Sequence, residues 1–149
     1  MGLLARLFGS GPKAADRPDP GAVPSTVDSV AGIAASLDRL AQGPDTFVIF
    51  TSDVARNAYV QAVVTASGLT LEAVSSTYLK GSAGLSTADE ATLRALGWIL
   101  DGDGSANWSQ DLPGWPGSDS SEAASLVAET LTNVYDWQPG QPIHVERGV

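Results

Sequence analysis

The stretch Thr46–Leu79, TFVIFTSDVARNAYVQAVVTASGLTLEAVSSTYL, decides how this chain is read. β-Branched and aromatic residues dominate it, and polar residues recur at every second position, as they do in strands with one face toward a core. Three strands fit: Phe47–Ser52, Ala58–Ser67 and Leu69–Leu79. The first is almost wholly apolar, which suits a central strand covered on both faces. In the second, Ala58, Val60, Ala62, Val64 and Ala66 face one way, while Tyr59, Gln61, Val63 and Thr65 face the other. In the third, Leu69, Leu71, Ala73, Ser75, Thr77 and Leu79 oppose Thr70, Glu72, Val74, Ser76 and Tyr78. Asp53–Asn57 is a turn, and Ser67-Gly68 is the two-residue break of a tight hairpin. Links this short exclude crossovers, so the strands form an antiparallel meander.

Helical patterns flank the meander. After Pro24, Ser25 or Thr26 is placed to cap a helix whose buried stripe is Val27, Val30, Ile33, Ala34, Leu37, Leu40 and Ala41, stopped by Gly43-Pro44. Downstream, LSTADEATLRALGW (Leu85–Trp98) opens with Ser86 and has Asp89 three residues on, close to a capping box. Its apolar face is Leu85, Ala88, Leu93 and Leu96, and Gly97 ends it. Trp98–Leu100 and Asn107–Asp111 fit two short strands, and Gly114–Ser118 is a turn. Asp119 with Glu122 starts a third helix, carried by Ala123, Leu126, Val127, Thr130, Leu131, Val134 and Tyr135 to near Asp136. Ile143–Glu146 suits an edge strand. The predicted fold is α+β, three helices on an antiparallel sheet made of a three-strand meander plus one or two short strands. The order is α-β-β-β-α-β-(β)-α.

The 149 residues suit one domain, 25–149, preceded by a tail, 1–24. Gly9–Pro24 concentrates Gly, Pro and charge without apolar period and reads as a flexible tether. Before it, MGLLARLFG (Met1–Gly9) places Leu3, Leu4, Leu7 and Phe8 on one helical face, a short amphipathic start suited to docking on a partner or a membrane surface. Gly2 stands where a myristoylation start needs it, but Arg6 stands where Ser or Thr is required. No run of 18 apolar residues exists, so a transmembrane helix is not expected.

The net charge is −9, unevenly placed: residues 1–24 carry three basic and two acidic residues, and residues 25–149 carry five and fifteen, a net −10. An acidic domain opposes nucleic-acid binding and favours basic partners. The absence of cysteine excludes disulfides, thiolate metal sites and thiol nucleophiles, and is compatible with a reducing, cytoplasmic setting.

Candidate chemistry is sparse. In DGDGSAN (Asp101–Asn107) the residues Asp101, Asp103, Ser105 and Asn107 alternate like calcium ligands, but Ala106 stands where the EF-hand turn needs Gly, and Leu112 where it needs Glu. An acidic hairpin loop explains it better. His144 is the only histidine, no nucleophile elbow or phosphate loop occurs, and the acidic pairs sit at helix starts, where capping explains them. A non-enzymatic domain without cofactor or metal follows. The tryptophans are more suggestive: Trp98, Trp108, Trp115 and Trp137 all fall in the last third, where they pack a core or line a binding surface.

LEAVSSTYL (Leu71–Leu79), LSTADEATLRALGW, NWSQDLP (Asn107–Pro113) and ETLTNVYDWQP (Glu129–Pro139), taken in order, resemble the type III secretion chaperone-like superfamily, in particular its actinobacterial TY-Chap or YbjN-like domains. The resemblance spans roughly residues 26–140. It implies an α+β domain, often dimeric, that binds protein segments and catalyses nothing. Its implied partner is a client protein held along the sheet. From the strand alternation, Tyr59, Val63 and Val74 are the exposed apolar sheet positions expected to supply the contact, aided by Trp108 or Trp115. The alternative is a small-molecule sensor with a tryptophan-lined pocket.

Overall fold

The computed structural model describes residues 26–81, 84–101, 106–117 and 120–149. The tail 1–24, most of the DGDGSAN loop and the Asp119 capping position lie outside the described residues. Among the described residues, three helices and seven strands build an α+β fold. The chain runs β1 (Thr26–Val27), α1 (Val30–Gln42), β2 (Phe47–Asp53), β3 (Ala58–Thr65), β4 (Gly68–Ala73), α2 (Thr87–Ala95), β5 (Ile99–Leu100), β6 (Trp108–Leu112), α3 (Ser120–Tyr135) and β7 (Ile143–Gly148). All neighbouring strands are antiparallel, in the order β1-β7-β2-β3-β4-β6-β5.

The meander stands as read, with local corrections. Thr65 pairs with Gly68, so the hairpin loop is Ala66-Ser67. The third strand stops at Ala73 rather than Leu79. Beyond it the Ser75 amide bonds the Asn107 Oδ1 at 3.0 Å, and the Tyr78 and Leu79 amides turn back onto the Ser75 carbonyl. Those local bonds take the donors that a longer ladder would need. The first helix starts later than expected. Thr26 and Val27 are drawn into the sheet against His144 and Ile143, and Ser29 is the N-cap, its Oγ accepting from the Gly32 amide at 3.1 Å. Ile143–Glu146 is not an edge: β7 lies between β1 and β2.

Ser86 and Asp89 form the full reciprocal capping box of α2, at 3.0 and 3.1 Å. The stripe Ile33, Leu37 and Leu40 of α1 packs along α3, which buries Ala124, Val127, Leu131 and Val134. α2 joins the same layer beside α3. Two contacts fix which side of the sheet that layer covers. Arg94 of α2 sits 5.2 Å over the ring of Trp108, and the Gln110 Nε2 donates to the Leu96 carbonyl at 3.3 Å. Cross-strand pairing puts Val145, Phe50, Val60, Ala73 and Trp108 in one row on that side, all buried. The main core therefore lies between this face and the helices. The far face carries the row Glu146, Ile49, Gln61, Glu72, Ser109 and Ile99. None of the described helices is long and apolar enough to cross a membrane.

Candidate functional site

The sheet ends in a short strand, and that ending creates an opening. β5 pairs only with Trp108 and Ser109 of β6, so Gln110, Asp111 and Leu112 have no described strand on their outer side. β6 side chains alternate, and Gln110 and Leu112 point toward the helix layer. Between them and the first turns of α3 lies a cleft of about 350 Å³, lined by Gln110, Leu112, Pro113, Gly114, Trp115, Glu122, Ala123 and Leu126. The turn that walls it is held by the Trp115 amide bonding the Leu112 carbonyl at 3.2 Å. The Trp115 ring is buried, 6% exposed, yet its Nε1–H has no hydrogen-bond partner. A buried indole N–H usually finds one, so a polar group is wanted at this wall.

The structure sorts the tryptophans. Trp98 donates to the Thr130 Oγ1 at 3.0 Å and Trp137 to the Gln141 carbonyl at 2.9 Å, both within the core. Trp108 is buried beneath Arg94. Trp115 is buried and lines the cleft.

Tyr59, Val63 and Val74 do share one face of the sheet, the far face. The expectation that they are exposed needs correction: Tyr59 and Val74 are buried, and only Val63 is partly open. Alternation along a strand reveals which residues share a face, but not what covers that face. Around them is a polar group that the spacing did not reveal. The Asn107 Nδ2 donates to the Tyr59 Oη at 3.1 Å and reaches the Glu72 Oε1 at 3.5 Å. Beside this group both the Gln61 carboxamide atoms and the Thr51 hydroxyl are buried without partners. Burial pushes the Tyr59 hydroxyl well above its ordinary range, against the opposing effect of the Asn107 bond. Burial likewise raises the Glu72 carboxyl, again partly offset by Asn107.

The raised Glu72 value has a testable sign. The folded state holds the proton more tightly than the unfolded chain, so stability falls as pH rises from about 4.5, the carboxyl's ordinary value, through the folded value. Glu72→Gln should remove that decline and raise the melting temperature at pH 7. Thermal unfolding between pH 4 and pH 8 checks it, and an unchanged profile would show that the carboxylate is not strained.

No group of three or more metal-ligating side chains occurs among the described residues. His144 stands 3.6 Å from Glu146 on β7, with no further ligand assigned to it. No arrangement of nucleophile and base emerges from the cleft, whose one ionisable group is Glu122.

A protein-family profile matches residues 30–142, from the start of α1 to the residue before β7. The chain belongs to the TY-Chap3 family. That family is described as T3SS (YopN, CesT) and YbjN peptide-binding chaperone 3. No curated protein and no solved structure matches the chain. The TY-Chap3 match covers all three described helices and every described strand but β1 and β7. The superfamily resemblance read from the four sequence segments is thereby confirmed at family level, and with it a peptide-binding chaperone domain.

Proposed function

We propose that the chain is a cytoplasmic, non-enzymatic chaperone or adaptor that holds an extended segment of a client protein along the free edge of β6. The observation that carries the reading is the conjunction of a strand edge with no partner among the described residues and an apolar cleft beside it. A client strand added to Gln110–Leu112 gains main-chain hydrogen bonds, and its alternate side chains then turn into the cleft between β6 and α3. Glu122 at the rim and Asp111 on the edge favour basic residues in the client, as does the net −10 of residues 25–149. In this reading residues 25–149 are the binding domain and residues 1–24 a tether. The homodimer and the actinobacterial affiliation belong to the same proposal, supported by the resemblance of the sequence segments.

The test uses an array of 12-residue peptides in which apolar residues alternate with Arg, Lys or Ser. Full-length protein should retain peptides with Leu or Phe at every second position, and N-methylation of alternate backbone amides should abolish retention. Leu126→Gln places an amide in the cleft at a half-buried position and should weaken binding about tenfold. Equal retention of N-methylated peptides would overturn strand addition. An unaffected Leu126→Gln variant would remove the cleft from the site.

A further inference from the structure

A second surface stands out once the cleft is accounted for. On the far face, Ile49, Gln61 and Val74 are 0% exposed and Tyr59 is 1% exposed, although all three described helices lie on the opposite side. A sheet face without a helix layer is ordinarily wet, so the burial of its centre calls for a cover. The centre is also chemically specific. Ile49 and Val74 supply apolar area, while the Gln61 carboxamide and Thr51 hydroxyl are enclosed with no partner. Glu72, 9% exposed, adds a carboxyl between Gln61 and Ser109.

We propose that this far face is the docking surface for the chain's own residues 1–24, whose Leu3, Leu4, Leu7 and Phe8 complement its apolar centre and whose Arg6 complements the charge of Glu72. Three observations select this occupant. The stripe is apolar on one helical face, which matches a face with an apolar centre. The segment carries net +1 against the −10 of the rest of the chain. Reach is ample: Thr26 sits in β1, four strands from β4, roughly 19 Å at sheet spacing. The tether Gly9–Pro24 extends to about 50 Å. Docking in cis needs no assembly, because a tether of this length holds the segment at roughly millimolar effective concentration. The surface is separate from the β6 cleft, so this proposal stands or falls independently of client capture there.

The absence of native cysteine makes engineered pairs unambiguous. In the full chain, Leu4→Cys is combined either with Ser109→Cys, on the far face, or with Ala35→Cys, exposed on α1. Under mild oxidation at low concentration the first pair should close within one molecule about tenfold faster than the second. In parallel, Leu4→Asp with Leu7→Asp should raise the fluorescence of an apolar-surface dye several-fold by uncovering the face. Equal closure of the two pairs overturns the proposal. So does a disulfide-linked dimer from the 4–109 pair, which would make a second copy the occupant. Flotation of the wild-type chain with anionic vesicles, together with failure of the 4–109 pair, would assign the stripe to a membrane and equally overturn it.

Discussion

Replacing Gly68 by alanine should destabilise the fold by about 3 kcal/mol and weaken peptide capture with it. Gly68 has φ +135, and a Cβ there would stand 2.6 Å from the Leu112 carbonyl oxygen and 3.0 Å from the Pro113 Cα. Both neighbours are backbone, so neither swings aside, and the turn that walls the cleft must shift. Urea unfolding reads the first effect and peptide retention the second. Gly140→Ala is the control. Its φ is +97, but nothing stands within 4 Å of the added carbon, so it reports backbone strain without collision and should cost about 1 kcal/mol. Equal losses for the two variants would refute the clash.

Phe50→Ala should cost about 4 kcal/mol, near the upper range for a buried aromatic. Phe50 is 0% exposed, midway along β2, paired with Val60 on one side and Val145 on the other. Its removal leaves a cavity beneath the helix layer that sheet residues on both sides cannot close, since their backbones are fixed by two ladders. Val54→Ala, 68% exposed in the following turn, should stay within about 0.5 kcal/mol. Against a typical domain stability of roughly 5–15 kcal/mol, Gly68→Ala and Phe50→Ala together leave little of the folded state.

What the sequence disclosed was whatever depends on neighbours in the chain. The Ser86–Asp89 capping box needs residues three apart, and the strand alternation in Ala58–Thr65 needs residues two apart; both are visible in the letters. The placement of β7 between β1 and β2 depends on residues about a hundred positions away, and nothing in Ile143–Gly148 distinguishes an inner strand from an edge. Thr26 and Val27 illustrate a local conflict resolved at a distance: they continue the helical stripe of α1 by spacing, yet their pairing with β7 draws them into the sheet. For the site, Trp115 was legible as a candidate, while the run Asn107–Pro113 was read only as part of the family resemblance. The cleft itself was not, because it arises from the shortness of β5 against β6 and from the approach of α3. The burial of Tyr59 and Val74 was hidden for the same reason, since a side chain's solvent exposure is a property of the packed molecule.

The position of β7 also has a temporal meaning. Its residues follow every other described element in the chain, yet they occupy an interior place and pair along five positions of β2, from Phe47 to Thr51. Until Ile143–Gly148 leaves the ribosome, β2 is therefore a bare sheet border of apolar residues, open to pairing with any passing strand. The β2–β7 ladder is thus a late closure of the sheet in chain order, and the interval before it forms is when non-native strand pairing competes with folding.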